Sequence, residues 1–278
     1  MFLIVAGLAE YLLIDAGVQR ELAAVARHKW AARLLPSDQR RLPQRYEVDC
    51  ETVAATHPFV IAAFGQSNSA NYGEQRYVPL GPVYDVKINK CYIAQDPLLG
   101  SDGHRGSVWV RLADRLIARG YAPAVVLVTF GVSASEIARW APGGDLNVRI
   151  AERLMPLAAL GFAPDAVLFH QGETDAKEGT SKDDYLDRLS AVVASVRSMG
   201  VDAPFLAAVA SYCYGRRSVN ISAAQRAAVD PARGIYAGPN TDELTGPRFR
   251  FDDCHFSNIG LDRTADLWMD AIVRVRTD

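Results

Sequence analysis

Two short stretches of this chain hold residues suited to do chemistry together. The first is Gly65-Gln66-Ser67-Asn68-Ser69, and the second is Phe251-Asp252-Asp253-Cys254-His255-Phe256-Ser257. A serine hydroxyl becomes a nucleophile when a base takes its proton. An imidazole becomes that base when a carboxylate holds its Nδ1–H and leaves Nε2 free. Of the five histidines, only His255 has a carboxylate three residues ahead of it, at Asp252. His28 lies in a basic N-terminal segment, His57 precedes an apolar run, His104 sits in a Gly-rich loop and His170 ends an apolar run. Asp253 is the competing partner, although an adjacent side chain more often points away. Taken singly, each piece has a plainer reading: Ser67 as a helix N-cap, and residues 252–257 as a solvated, Asp-rich turn.

A third stretch, His170-Gln171-Gly172-Glu173-Thr174-Asp175, bears on the same chemistry. A carboxamide such as Gln171 at a strand end can donate to a developing oxyanion, where loss of one donor costs about 3–4 kcal/mol of barrier. Glu173 or His170 could buttress that loop. Glu173 and Asp175 lie too close together in one loop to bracket a glycosidic bond as a carboxylate pair would. Gly65 lets the chain turn sharply ahead of Ser67. A helix starting there would aim its free N–H groups, the serine's own included, at the site. The spacing is not the G-x-S-x-G elbow, because Ser69 stands where the second glycine would be.

The elements that must position these residues follow from the apolar pattern. Phe59–Phe64, Ala124–Phe130, Ala166–Phe169 and Phe205–Ala210 are nearly continuous apolar runs, as expected of strands buried on both faces of a parallel sheet. Pro58, Pro123, Pro164 and Pro204 stand just ahead of them, where a missing N–H does least harm. Amphipathic stretches at Val108–Arg119, Val148–Leu160, Lys182–Met199 and Leu261–Val275 separate or follow the runs. This alternation predicts an α/β fold, a three-layer α/β/α sandwich around a central parallel sheet. In such sheets ligands gather at the carboxyl ends of the strands. There the runs open onto Gly65–Ser69, Gly131–Ser135, His170–Asp175 and Ser211–Tyr214.

Composition sets the outer bounds. The 278 residues carry a formal charge of −2, and no basic face suggests a nucleic-acid partner. No CxxC pair, zinc-spaced cluster or Gly-rich phosphate loop is present, so neither a metal nor an organic cofactor is expected. Residues 1–50 read as an N-terminal extension ahead of a catalytic domain over 51–278. Met1–Val18 is apolar but interrupted by Glu10 and Asp15, and a basic stretch from Arg20 to Arg45 follows. It suits an amphipathic helix or a candidate membrane anchor, although the basic flank would orient toward the cytoplasm. The expected localisation is exported or membrane-associated, with the cytoplasm as the alternative.

Together these pieces resemble the SGNH hydrolase superfamily, and within it the sialate O-acetylesterase and acetylxylan-esterase-like branch. The matching pieces are Gly65–Asn68, Gly131–Trp140 (GVSASEIARW), His170–Asp175 and Asp252–Ser257, in the family's order, over roughly four-fifths of the chain. Asp96–Ser107 resembles the branch's substrate-side loop. The resemblance implies a flavodoxin-like sandwich with no cofactor and a catalytic triad of Ser67, Asp252 and His255. It also implies an oxyanion hole from the N–H groups of Ser67 and Ser133 with the Gln171 amide, Glu173 in support, and an acetylated carbohydrate as substrate. Where the branch usually has Gly-Gly-Thr-Ser, this chain has Ser133-Ala134-Ser135-Glu136. The added negative charge points to altered substrate choice or reduced turnover. The alternatives are a catalytically weak carbohydrate-binding relative and a polysaccharide O-acetyltransferase. With Cys213 and Cys254 on the active rim, and Cys50 and Cys91 flanking the first strand, bridges Cys213–Cys254 and Cys50–Cys91 are expected if the protein is exported. In a reducing compartment all four would be thiols.

Overall fold

The computed structural model describes residues 42–277. The apolar segment 1–18, most of its basic flank and any membrane attachment they confer lie outside the described residues. Among those described, no helix is long and apolar enough to cross a membrane.

The elements in chain order are β1 (Glu47–Val48), α1 (Cys50–Ala54), β2 (Phe59–Gly65), a 3₁₀ turn (Ser67–Ser69), β3 (Val83–Lys87), β4 (Lys90–Ile93), α2 (Val108–Ala118) and β5 (Val125–Thr129). There follow α3 (Ile137–Trp140), α4 (Asn147–Leu154), β6 (Ala166–His170), α5 (Glu173–Glu178) and α6 (Lys182–Ser198). The chain continues through β7 (Phe205–Val209), α7 (Val219–Ala227), β8 (Ile235–Asn240) and α8 (Asn258–Thr277). The eight strands form one sheet in the order β1-β4-β3-β5-β2-β6-β7-β8. It is parallel throughout except at β4, which runs antiparallel to both its neighbours.

The four apolar runs are β2, β5, β6 and β7, and they occupy adjacent positions in the sheet. Each is buried along its whole length. Alternate residues divide them between two cores. Val60, Phe64, Val126, Phe169 and Ala207 face a layer with Trp140, Ile150, Leu189 and Ile221. Ile61, Leu127, Leu168 and Leu206 face a layer with Trp109, Leu112, Trp268 and Ile272. A period of two in the strands thus makes three layers of the molecule. The structure adds β1, β3, β4 and β8 at the edges, where shorter and more polar segments suffice. β1 lies in the segment read above as extension; it pairs with β4, and the compact unit begins at Pro43.

Helix ends follow their local sequence. Ser181 caps α6 by accepting from the Asp184 N–H, with Asp183 and Asp184 in the first turn, where negative charge suits the helix dipole. Across one face, Arg111 and Arg115 of α2 and Arg119 at its C-cap meet Asp262, Asp266 and Asp270 of α8, with Arg115 bonded to Asp266 at 2.6 Å and to Asp262 at 2.9 Å. The fourfold spacing on both helices makes this ladder, which sets their register.

Candidate active site

β2 is central, and the chain visits β3 and β5 on one side of it before crossing to β6 on the other. The loops leaving β5 and β6 diverge there, and the turn after β2 sits between them. Gly65 has φ 137°, and a Cβ on it would lie 2.0 Å from the His170 carbonyl oxygen. Only glycine lets β2 end against β6 in this way. The chain then enters the Ser67–Ser69 turn, whose first intrahelical bonds come from the N–H groups of Ser69 and Ala70. The Ser67 N–H precedes them, at the free end of the turn. Ser67, Asn68 and Ser69 are all buried.

The C-terminal motif forms a tight turn built around one carboxylate. Asp252 Oδ2 stands 2.8 Å from His255 Nδ1, and Asp252 Oδ1 accepts from the backbone N–H groups of His255 (2.7 Å) and Cys254 (3.1 Å). Asp253, at φ 67°, turns away and accepts from the Tyr212 hydroxyl. Each of the two neighbouring aspartates therefore has its own partner, and the imidazole belongs to Asp252.

Asn68 draws the two motifs together. Its Nδ2 donates to Glu173 Oε1 at 2.7 Å and to the Cys254 carbonyl at 3.2 Å. The residue after the serine is thereby strapped to the residue before the histidine. The same carbonyl accepts from Arg250 Nη1, while Arg250 Nε and Nη2 donate to Leu244 O (2.7 Å) and Thr241 O (2.9 Å). Arg250 is almost fully buried, and its guanidinium lies 4.4 Å from the Phe256 ring centroid. A disulfide joins Cys254 to Cys213 in the loop after β7, and a second joins Cys50 to Cys91. Both match the pairing expected for an exported chain.

Glu173 is buried at the start of α5, where its Oε1 accepts from Asn68. Burial pushes its carboxyl up to about 7, against the pull of the Asn68 bond and the Arg250 charge. His170 lies beneath, 3.8 Å from Glu173 and 3.3 Å from Thr241 Oγ1. Burial, helped by Arg250, holds its pKa down to about 3, so it is a neutral core histidine. His57 precedes β2 at the opposite end of the strand from Ser67.

Two of the expected oxyanion donors are otherwise engaged. Gln171 is fully buried, and its Nε2 donates to Ser135 O (2.9 Å), Gln66 Oε1 (3.2 Å) and Asp175 Oδ2. Its Oε1 accepts from the Tyr185 hydroxyl at 2.9 Å. With both amide hydrogens spent on protein acceptors, Gln171 braces the β6 loop instead of facing a substrate. The Ser133 N–H donates to Asp102 Oδ2 at 3.2 Å, and those of Gly131 and Val132 donate to Ser101 Oγ and Gly65 O. Glu136 occupies the N-cap position of α3, half-buried, and its charge acts on Arg139. Asn68, Arg250 and Tyr185 join these networks, and the sequence reading assigned them no role. Asn68 alone carried a signal, its place inside the serine motif. Among the described residues no group of three or more His, Cys, Asp or Glu side chains could hold a metal ion.

The arrangement can be compared with known proteins. The family model described as carbohydrate esterase, sialic acid-specific acetylesterase, matches residues 59–257. No curated protein is a significant sequence match. Among solved structures, a protein from Arabidopsis thaliana superposes with a TM-score of 0.66 at 15% identity, covering 77% of this chain and 97% of that one. NanS gives 0.54 at 14% identity, over 79% and 97%. A carbohydrate acetylesterase from Xanthomonas citri gives 0.53 at 17% identity, over 78% of this chain and 56% of its own. At these identities the likeness is one of fold.

Proposed function

The chain belongs to the carbohydrate esterase family of sialic acid-specific acetylesterases and is a carboxylic ester hydrolase; on that premise we propose that it removes O-acetyl groups from a carbohydrate through an acyl-enzyme on Ser67. His255 is the base and Asp252 its orienting carboxylate. The proton of Ser67 Oγ passes to His255 Nε2 as Oγ bonds to the ester carbonyl carbon. The same proton then goes to the sugar oxygen as the C–O bond breaks. Water gives a proton to the same imidazole as its oxygen bonds to the acyl carbon; the bond to Ser67 Oγ then breaks, acetate leaves and the proton returns to Oγ.

The observation that supports this reading is the Asn68 strap, which ties the residue after Ser67 to the residue before His255, itself paired with Asp252. The free start of the Ser67 turn supplies one oxyanion donor. The Ser133 N–H can supply a second by sharing itself between Asp102 and the oxyanion. Two disulfides among the described residues support an oxidising, exported location.

Ser67→Ala should lower hydrolysis of acetylated sugars by at least about 1,000-fold and abolish labelling by a fluorophosphonate, with an unchanged melting temperature. Mapping the wild-type label to any residue other than Ser67, or full activity in the variant, would end the proposal.

A further inference from the structure

Tyr72 stacks on His255, with ring centroids 5.3 Å apart and planes inclined by 26°. The segment that carries it is held from several directions. The Asn71 side chain donates to Leu98 O (2.9 Å) and Ser101 O (3.1 Å) and accepts from the Leu98 N–H (2.7 Å). Gly73 and Gly106 exchange backbone hydrogen bonds, and the Glu74 N–H donates to Phe256 O at 2.9 Å. Gly103, at φ +88°, makes room for the ring: a Cβ there would lie 2.8 Å from Tyr72 Cε2. The tyrosine is thus seated between a glycine that yields space and the imidazole.

We propose that Tyr72 is a positioning residue for His255, holding the imidazole in plane with Asp252 and stabilising the imidazolium that forms as Ser67 gives up its proton. The inference rests on His255 being the base. An aromatic face attracts a cation through its quadrupole, and it restricts rotation of the ring it covers.

The charges around the pair make that uncharged contribution useful. Asp252 at Nδ1 favours the imidazolium. Arg105, from the loop before α2, feels the charges of Asp252 and Glu74, and its guanidinium lies 5.1 Å from the Phe251 ring centroid. Arg250 also feels Asp252, together with Glu173 and Asp242. Two guanidinium groups therefore lie within electrostatic range of the carboxylate that holds His255. Phe251 is a second ring near the imidazole, at 6.4 Å and 32°, too far to replace the Tyr72 stack.

The sign follows from the chemistry. A stacked ring favours the charged form of His255 over the neutral one, and removing the ring takes that preference away. The experiment measures kcat and KM against pH for an acetyl ester in the wild type, Tyr72→Leu, Tyr72→Phe and Tyr72→Trp, with a melting curve for each. Tyr72→Leu should move the acid limb of kcat/KM down by about half a unit to one unit and lower plateau kcat about 3- to 10-fold, at a KM within about twofold of wild type. Tyr72→Phe should restore the wild-type limb, and Tyr72→Trp should place it at or above that of the wild type. An unmoved limb in folded Tyr72→Leu, or a limb in Tyr72→Phe as low as that expected for leucine, overturns the inference. A rise in KM with kcat intact also overturns it, since that marks a sugar contact. Should Tyr72→Leu not fold, the Phe and Trp variants decide alone: a downward limb in either is the overturning result. His255→Ala separates the two levels. Activity retained there removes the base assignment itself, whereas an inactive His255→Ala beside an unmoved Tyr72→Leu removes only the role of Tyr72.

Discussion

Gln171 shows how far one residue's role depends on where its hydrogens go. Placed at the end of β6 in a family motif, it reads as an oxyanion donor. In the fold its amide joins Ser135, Gln66, Asp175 and Tyr185 into one buried network. Gln171→Ala would leave the Ser135 carbonyl without its amide donor in a dry environment and take one bond each from Gln66, Asp175 and Tyr185, at a cost of about 1–3 kcal/mol. The expected outcome is a lowered melting temperature with activity lost in step. A residue acting only as an oxyanion donor would lose kcat with the melting curve unmoved, and thermal melts beside kinetics separate the two.

At the scale of elements, the turn that carries His255 is held by its surroundings more than by itself. Residues 250–256 close through a short antiparallel bridge between Arg250 and Phe256. The Cys254 carbonyl takes bonds from Asn68 and Arg250, and the sulfur of the same residue is tied to the loop after β7. That disulfide spans 41 residues, for which the chain-entropy account gives up to about 4 kcal/mol. Cys50–Cys91 spans the same separation at the sheet edge, between α1 and β4. Replacing Cys213 and Cys254 by serine should lower both stability and kcat. Replacing Cys50 and Cys91 should lower stability by a comparable amount with kcat at moderate temperature retained. Equal kcat in the two double variants would show that the 213–254 bridge does not position His255. The α2–α8 ladder is half-exposed and contributes less, on the order of 1 kcal/mol for each pair and less in high salt.

The whole molecule places its ionisable groups where pH must act on stability. Burial pushes Asp85 up to about 6 from 3.8, Asp96 to about 7 from 3.8, and Glu173 to about 7 from 4.5. Between their unfolded and folded values the folded chain keeps protons that the unfolded chain releases, so stability is lost as pH rises through this window. His170 works the other way: neutral in the fold down to about 3 against an ordinary 6.5, it lowers stability as pH falls below 6.5. The three carboxyl groups outweigh the one imidazole between pH 5 and 7 (about 1.5 protons net near pH 6 by linkage). Melting temperatures should therefore decline from about pH 5 to about pH 7.5, and Glu173→Gln, which keeps an acceptor for Asn68, should show a shallower decline. An identical slope in that variant would remove Glu173 from this account.

The sequence by itself determined the layer architecture, the four central strands and the pairing of Asp252 with His255. Strands buried on both faces must be apolar throughout, and a carboxylate three residues before a histidine can close on it within one turn; neither depends on distant chain. The outer strands β1, β3, β4 and β8 were not legible, because away from the sheet's centre short, mixed segments such as Val83–Lys87 suffice. Tertiary structure alone decided that Asp253 turns to Tyr212, that Gln171 is spent on the protein, and that Asn68 and Arg250 meet at the Cys254 carbonyl. Asn68 and Cys254 stand 186 residues apart. The partner of a buried polar group is chosen by whichever segments the packed layers bring beside it, and no local pattern encodes that choice.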